Sequence, residues 1–237
     1  MTDFVFTPAS GAAVPVLGGS LFPVRRIFCV GKNYADHVAE MGGAADRDPP
    51  VFFTKPADAV VTGGADVPFP LATTNLHFEG ELVVALGGAG PGGTQMSADD
   101  AMAMVFGFAA GCDLTRRDIQ AAAKAGGNPW DCAKAFDASA PIGALARAEH
   151  VDIKGAALTT TVNGDVRQHA ALSTMIFPIA DIIQKLSGFF ALRPGDLIFT
   201  GTPAGVGPLI VGDRVRVAIA GLPDLTFTMV TNEQARM

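Results

Sequence analysis

The segment from His77 to Val84, with the sequence HFEGELVV, constrains the fold of this chain most strongly. Successive side chains of a β-strand point to opposite faces of a sheet, so we expect Glu79 and Glu81 side by side on one face. The intervening residues are mostly apolar, which predicts that the opposite face is buried. Two adjacent carboxylates repel each other unless a positive charge lies near both. A divalent cation is the simplest partner, and a solvated strand face is the alternative.

Strand-like segments dominate the rest of the chain. Runs rich in β-branched and aromatic residues, bounded by turn residues, predict strands at 26–30, 51–54, 76–86, 105–111, 158–162, 196–200, 214–219 and 225–230. Asn163 and Gly164 separate two strand-like runs and predict a two-residue hairpin, because both turn positions require positive φ. The residues around Gly221 predict the turn between the last two strands.

Helical patterns are few and short. They predict helices at 33–41, 115–124 and 178–186. Gly42 and Gly126 end the first two, Thr115 is placed to cap the second, and Pro178 lies in the first turn of the third. Because strands outnumber helices and do not alternate with them, we expect an α+β or mainly-β roll rather than a doubly wound sheet.

Composition narrows the class of protein. The 237 residues, 49% of them hydrophobic, predict a single domain spanning 1–237, with a short N-terminal segment at 1–25. The net charge of -6 and the scattered basic residues argue against a nucleic-acid partner. The three cysteines form neither a CxxC pair nor a Cys/His array, so a disulfide framework or zinc site is not expected. A reducing cytoplasm fits this cysteine usage best.

The hydrophobic pattern predicts a soluble protein that associates with itself. The N-terminus lacks the features of a secretory signal, and the longest apolar stretch, 101–112, is too short to span a membrane. Only 17% of the residues are charged, which is low for a soluble monomer. We therefore expect a second subunit to cover part of the surface, in a homodimer.

Asp113 is a third candidate metal ligand. It lies where an apolar strand runs into a helix, and its alternative role is to cap that helix. Since Thr115 is already placed to cap, with Asp118 behind it, Asp113 is left at a strand end. A third carboxylate beside Glu79 and Glu81 would make an all-oxygen site suited to Mg²⁺ or Mn²⁺, with open positions for water and substrate. No histidine lies at a ligand-like spacing, which argues against zinc.

His37 and Glu40 form a candidate catalytic pair in the first predicted helix. They are three residues apart, so they share a helix face and can form a hydrogen bond. A carboxylate that orients an imidazole is a common way to build a base that activates water. By spacing alone a plain surface pair is the stronger alternative. The Gly/Pro-rich segment 42–50 would let the helix near 33–41 move as a lid.

Two further segments have open interpretations. Lys134 lies among apolar residues near Trp130. Two interpretations are open: its aliphatic chain covers apolar surface while its ammonium group reaches water, or the ammonium group is semi-buried beside an anion. The neighbouring residues favour the first. The small residues of 200–207 would let backbone N–H groups approach a carboxylate, although a plain turn is the alternative. Cys112 lies in an apolar strand without a neighbouring base and is expected in the core.

The chain also carries an ordered set of motifs: GKNYADHVAEM, FFTKP, ExE, CDLTRRDxQ, PWxxAKAFD, VNG, MIF and LRPGDLIFTGTPAGVG. Together they resemble the fumarylacetoacetate hydrolase family over nearly the whole chain from about Arg26. Within that family the chain is most similar to the short bacterial fumarylpyruvate hydrolases and acylpyruvases. The resemblance implies a mixed β-roll with few short helices, usually in a homodimer. It also implies that Glu79, Glu81 and Asp113 hold one Mg²⁺ or Mn²⁺ ion in each subunit.

The same resemblance implies roles for the remaining candidates. A lid carrying His37 and Glu40 closes over bound substrate, and His37 acts as the base. Further residues match positions that line the pocket and hold the oxo and carboxylate oxygens of the substrate: Arg117, Gln120, Lys134 and Thr202. Lys134 is also an expected catalytic residue beside His37 and Glu40, because it would share the negative charge of the pyruvate enolate that forms.

The implied reaction is metal-assisted hydrolysis of a carbon–carbon bond in a 1,3-diketo acid. The leading substrate is 3-fumarylpyruvate, which gives fumarate and pyruvate. Oxaloacetate decarboxylation and keto–enol tautomerisation need the same ligands, so both remain alternatives. A non-catalytic dicarboxylate-binding protein is a further alternative, but it has no use for a His-Glu pair on a mobile helix.

Overall fold

The computed structural model describes residues 4–7, 9–42, 49–62 and 64–233. The strands are β1 (Ala13–Pro15), β2 (Leu21–Pro23), β3 (Arg26–Gly31), β4 (Val51–Lys55), β5 (Val60–Val61), β6 (Val67–Pro68), β7 (Leu76–Phe78), β8 (Gly80–Leu86), β9 (Val105–Cys112), β10 (Thr115–Arg116), β11 (Ala140–Pro141), β12 (Ala146–Arg147), β13 (Ala157–Val162), β14 (Asp165–Ala171), β15 (Asp196–Phe199), β16 (Gly207–Leu209), β17 (Arg214–Ile219) and β18 (Leu225–Val230). The α-helices are α1 (Ala35–Glu40), α2 (Ala98–Ala103), α3 (Arg117–Gly126), α4 (Asp131–Lys134) and α5 (Ile179–Ser187). Short 3₁₀ turns lie at Ala57–Ala59, Ala148–His150 and Leu172–Thr174.

Two sheets carry most of the strands. A six-stranded sheet has the order β12-β9-β8-β15-β3-β4, and a five-stranded sheet has the order β14-β13-β17-β18-β6. Strand β15 pairs in parallel with β3 and antiparallel with β8, so the larger sheet is mixed. The expected strand-dominated α+β class, with a mixed β-roll and few short helices, is confirmed.

Strand β8 lies in the interior of the six-stranded sheet, and all of its residues are buried. On one side, Leu82 and Val84 join a core cluster with Leu158 and Val217 of the five-stranded sheet. On the other side, Val83 joins a second cluster with residues of β1, β3 and β15. The predicted burial of the apolar face is confirmed, and the alternative of a solvated acidic face is wrong, because apolar residues cover the strand on both sides.

The predicted strand 76–86 is divided at Glu79. β7 pairs with β10 and β16 in a small sheet, whereas β8 belongs to the six-stranded sheet. The second predicted helix also begins later than expected, because Thr115 and Arg116 form β10 opposite β7. Thr115 is therefore not a helix cap, and its Oγ1 instead donates to the carbonyl oxygen of Asp113 at 3.1 Å. Strand pairing takes precedence over the local capping pattern here.

The other sequence-based boundaries agree closely with the structure. Asn163 and Gly164 have φ of 55° and 91° and connect β13 to β14, so the predicted hairpin is confirmed. Gly221 has φ of 85° in the turn between β17 and β18. Most of the predicted flexible segment 42–50 lies outside the described residues. Among the helices that the structure describes, none has the length and apolar character needed to cross a membrane.

Candidate active site

Three buried carboxylates meet at one end of the central strand pair. Glu79, Glu81 and Asp113 are 5%, 1% and 0% exposed, and each offers an oxygen within 4.8 Å of the others. The antiparallel pairing of β8 with β9 places Gly80 opposite Cys112, which brings Asp113 back beside the two glutamates. The structure therefore brings together the three candidate ligands that the sequence indicates.

Buried cations lie against this cluster. Lys134 Nζ is 2.6 Å from Glu79 Oε2 and 2.7 Å from Asp113 Oδ2. Arg117 Nη2 is 2.5 Å from Glu79 Oε1. The preference for Lys134 with its charge in water is wrong, because the side chain is 2% exposed and its helix α4 packs against β4 and β10.

Lys55 is the site residue to which the sequence assigned no role. It lies on β4, its side chain is fully buried, and its Nζ is 2.8 Å from Asp113 Oδ1. The same ammonium group donates to the carbonyl oxygen of Leu114 at 3.2 Å and to that of Lys134. The available signal was the FFTKP motif, which places one charged residue in an otherwise apolar strand. Lys55 thus holds a candidate ligand and the backbone of a second site residue.

The carboxylates differ in their electrostatic environment. Burial opposes ionisation of Glu79, but the Lys134 and Arg117 charges outweigh it and hold its pKa well below the usual range. Burial, followed by repulsion from Asp113 and Glu79, raises the pKa of Glu81 well above its ordinary value. The nearby ammonium and guanidinium groups therefore compensate Glu79 far better than Glu81.

The cluster fits a hard divalent cation. All of its potential ligand atoms are carboxylate oxygens, which Mg²⁺ and Mn²⁺ prefer. Asp113 Oδ1 is buried and accepts no hydrogen bond of regular geometry, although Lys55 Nζ lies near it. An added positive charge would also relieve the repulsion that burdens Glu81. The residues that could hold the ion are therefore Glu79, Glu81 and Asp113.

His37 and Glu40 lie on the short helix α1. The Nδ1 atom of His37 is 3.0 Å from Glu40 Oε2, and the other Glu40 oxygen accepts from the Gly205 N–H at 3.0 Å. His37 is 9% exposed and lines the same cavity as Glu79 and Glu81. Because the imidazole is buried in that cavity, the alternative of a plain surface pair does not describe it.

The loop at 200–207 supports both sides of the site. Gly201 N–H donates to Glu81 Oε2 at 2.8 Å, while Gly205 N–H holds Glu40. The expectation that this backbone approaches a carboxylate is met, but both carboxylates belong to the protein itself. Gly205 has φ of +98°, and a Cβ there would lie 2.0 Å from the carbonyl oxygen of Arg167. Only glycine fits at this position.

The remaining candidates surround the cavity. Arg117 Nη1 donates to Gln120 Oε1 at 2.6 Å, which fixes both side chains on the first turn of α3. Thr202 Oγ1 donates to the carbonyl oxygen of Gly80 at 2.8 Å and accepts from Gln168 Nε2 at 2.7 Å. The cavity wall includes these predicted site residues: His37, Glu79, Glu81, Arg117, Gln120, Lys134 and Thr202. Glu40 and Asp113 do not line the cavity; Glu40 contacts His37, and Asp113 belongs to the buried carboxylate cluster.

His77 supports Arg117 from β7. Its Nδ1 accepts from Arg117 Nε at 3.4 Å, and its Nε2 lies 2.9 Å from Asn75 Oδ1. Burial, followed by the Arg117 charge, lowers the pKa of His77 to about 4. The ring is therefore neutral near pH 7 and can accept from the guanidinium group.

Comparison with known proteins agrees with these observations. The family model described as fumarylacetoacetate (FAA) hydrolase, C-terminal, matches residues 26–230. The chain belongs to the fumarylacetoacetate hydrolase family. Members of this family act as hydrolases and tautomerases, and the buried acidic cluster of this chain fits a metal site.

Three of the similar proteins are an oxaloacetate tautomerase and two fumarylpyruvate hydrolases. Oxaloacetate tautomerase FAHD1, mitochondrial, from Homo sapiens is 42% identical over 204 residues, which cover 86% of this chain and 90% of the relative. Fumarylpyruvate hydrolase from Ralstonia sp is 36% identical over 191 residues, which cover 80% of this chain and 98% of the relative. A crystal structure of fumarylpyruvate hydrolase from Pseudomonas aeruginosa in complex with Mn²⁺ and pyruvate has 43% identity and a TM-score of 0.93, covering 97% of this chain and all of that one.

Proposed function

We propose that this protein is a Mg²⁺- or Mn²⁺-dependent hydrolase that cleaves a carbon–carbon bond of an acylpyruvate, with 3-fumarylpyruvate as the leading substrate. The observation that carries the proposal is the joint presence, in one cavity, of the buried carboxylates and of His37 backed by Glu40. The similarity to fumarylpyruvate hydrolases, one of them with Mn²⁺ and pyruvate bound, supports the same substrate class.

The proposed binding mode follows from the cations of the cavity. A Mg²⁺ or Mn²⁺ ion held by Glu79, Glu81 and Asp113 would act as a Lewis acid toward the 2-oxo acid end of the substrate. Lys134 and Arg117 face the same space and would hold the carboxylate and oxo oxygens, aided by Gln120 and Thr202. Positive groups fixed in a buried site stabilise developing negative charge strongly, because no solvent reorganisation is needed.

The proposed base is His37. Glu40 holds Nδ1, so Nε2 is the nitrogen available to take a proton from water. The resulting hydroxide adds to the C4 carbonyl, and the C3–C4 bond then breaks. The electron pair of that bond passes to the pyruvate fragment, where C3 takes up a proton, and the acyl fragment leaves as a carboxylate. Closure of α1 would exclude bulk water during this step.

Keto–enol tautomerisation of oxaloacetate is a second candidate, favoured by the 42% identity to oxaloacetate tautomerase FAHD1. This reaction needs the same binding contacts to a 2-oxo acid, but it only moves a proton at C3. Oxaloacetate decarboxylation breaks a different bond of the same ligand. The residues of the cavity are compatible with all three reactions, so the substrate decides among them.

A substrate panel tests the proposal. Fumarylpyruvate, acetylpyruvate, fumarylacetoacetate and oxaloacetate are each incubated with the Mg²⁺-loaded protein. Loss of the enol absorbance and release of pyruvate are followed together. We expect cleavage of fumarylpyruvate, and we expect His37→Ala to lower its rate by about 10³-fold. Tautomerisation or decarboxylation of oxaloacetate without cleavage of any acylpyruvate would replace the proposed reaction.

We also propose that residues 1–237 form a single catalytic domain that works as a homodimer in the cytoplasm. Exposed apolar side chains at Leu71, Val166, Phe189 and Ile210, between 63% and 75% exposed, support a covered face. The free, buried thiols of Cys29 and Cys112 support a reducing compartment. Light scattering of the purified protein measures the subunit number directly.

A further inference from the structure

The catalytic cavity carries more positive charge than the proposed chemistry uses. Its lining includes the cations Lys32, Arg117, Lys124 and Lys134, and the carboxylates Glu79 and Glu81. Arg117 and Lys134 pair with the buried carboxylates. Within the part of the chain that the structure describes, Lys32 and Lys124 have no carboxylate partner. The unpaired cations are also the exposed ones, so they lie at the outer part of the cavity.

The helix α3 directs Lys124 toward the cavity. Residues separated by three, four or seven positions share one face of a helix, and Arg117, Gln120 and Lys124 follow this spacing. All three line the cavity. The ammonium group of Lys124 lies 5.2 Å from the centre of the Trp130 ring, a cation–π contact that restrains the side chain. Lys124 is thus a third member of the face that already contributes two proposed substrate contacts.

Lys32 lies directly after β3 and lines the same cavity. Its φ of 62° is in the left-handed region, which is unfavourable for a residue with a side chain. Such conformations persist where the surrounding structure requires them, and they are frequent at functional sites. The lining of the same cavity also includes the apolar residues Met41, Phe53 and Trp130.

The charges in this region influence one another. Partial burial, followed by the Arg117 charge, lowers the pKa of Lys124, and Lys134 and Lys32 act in the same direction. A bound anion would stabilise the protonated form of Lys124 and so act against this lowering of its pKa.

We propose that Lys32 and Lys124, beside Trp130, bind a carboxylate at the far end of the acyl chain, so that the preferred acylpyruvates end in a carboxylate. The proposal rests on the proposed function, because it assumes that the 2-oxo acid end binds at the buried carboxylate cluster. The apolar wall contacts the carbons between the two charged ends. Acylpyruvates that end in a methyl group would lack the outer ion pair.

Binding of two matched ligands tests this subsite. 2-Oxoheptanedioate and 2-oxoheptanoate have the same number of carbons and differ only in a terminal carboxylate or methyl group. Neither has a 4-oxo group, so neither is cleaved by the proposed reaction. Their dissociation constants are measured on the Mg²⁺-loaded protein by calorimetry and by the fluorescence of Trp130, the only tryptophan of the chain.

We expect the wild-type protein to bind the diacid about tenfold more tightly than the methyl-ended ligand, as one partly exposed ion pair allows. In Lys124→Met and in the double variant Lys32→Met/Lys124→Met, the two dissociation constants should converge within about twofold, with that of 2-oxoheptanoate unchanged. Lys154→Met is the matched control, since Lys154 is exposed and does not line the cavity.

Equal binding of the two ligands by the wild-type protein, equal weakening of both in Lys124→Met, or binding of neither would overturn the subsite. Because these ligands are not cleaved, this result is independent of the turnover assay. Absence of fumarylpyruvate cleavage together with selective diacid binding would reject the proposed reaction and keep the subsite.

Discussion

The inner and outer walls of the cavity are built in different ways. The inner wall is the buried carboxylate cluster of Glu79, Glu81 and Asp113, of which the two glutamates line the cavity. It lies on or beside central strands that are buried on both faces. The outer wall is α1, a helix of six residues in which only His37 and Val38 are buried. The carboxylates proposed to hold the ion are thus fixed by the sheet core, whereas the proposed base lies on α1, a small element that is proposed to move. The following predictions test this division.

The largest effect is expected at the inner wall, in Glu81→Gln. The amide oxygen can still accept from Gly201 N–H, but the cluster loses one anionic ligand. We expect weaker Mn²⁺ binding and turnover lowered by about 10⁴-fold, because several kcal/mol of charge stabilisation are lost. Removal of one of three mutually repelling charges should leave the metal-free protein at least as stable as the wild type.

Calorimetric Mn²⁺ titration, turnover and urea unfolding of the metal-free protein measure these quantities. Unchanged Mn²⁺ affinity in Glu81→Gln would show that the cluster is not the metal site. Gln184→Ala, at an exposed helix position outside the cavity, is a control for handling of the variants.

A slightly smaller effect is expected at the outer wall, in His37→Ala. Loss of a general base lowers turnover by about 10³-fold. Mn²⁺ affinity should remain at the wild-type value, since His37 is not among the carboxylate ligands. His150→Ala, whose side chain is 70% exposed, is the matched control. Full turnover in His37→Ala would assign the proton transfer to another group.

Lys55→Met tests whether the inner wall depends on buried charge compensation. The substitution keeps the length of the side chain but leaves Asp113 without one of its cations. Breaking a buried ion pair in this way costs about 3 kcal/mol or more in the free energy of unfolding. Urea denaturation of Lys55→Met and of the exposed control Lys185→Met provides the comparison. Equal stability of the two variants would mean that Lys55 contributes no net stabilisation.

The smallest effect is expected for Glu40→Gln. The single amide oxygen can accept from His37 or from Gly205 N–H, but the carboxylate accepts from both. Turnover should fall by about tenfold, with metal affinity and unfolding free energy close to those of the wild type. Glu40→Ala should lose more turnover than Glu40→Gln. Wild-type turnover in Glu40→Ala would remove this residue from the proposed positioning role.

The sequence predicted the parts of the site that are local in the chain. A carboxylate cluster is indicated by the spacing of Glu79 and Glu81 on an apolar strand and by the position of Asp113 at the end of the next long strand. His37 and Glu40 were paired by helical periodicity. The long strands were also predicted well, since their apolar runs are bounded by glycine and proline.

What the sequence did not predict depends on contacts between distant segments. The burial of Lys134 follows from its ion pairs with Glu79 and Asp113, which lie 55 and 21 residues earlier in the chain. Lys55 meets Asp113 through the packing of β4 against α4, which no local pattern indicates. The elements β1, β2, α2 and α4 have three to six residues, too few for a clear hydrophobic period.

The loop at 200–207 forms one hydrogen bond to the outer wall and one to the inner wall, and the two differ in exposure to solvent. The bond from Gly201 to Glu81 is buried, whereas the bond from Gly205 to Glu40 is exposed. Water can replace the exposed bond at little loss in free energy. In the proposed outward movement of α1, only the second of these two bonds would break. Substrate would then enter and products leave while the oxygens proposed to hold the ion keep their positions.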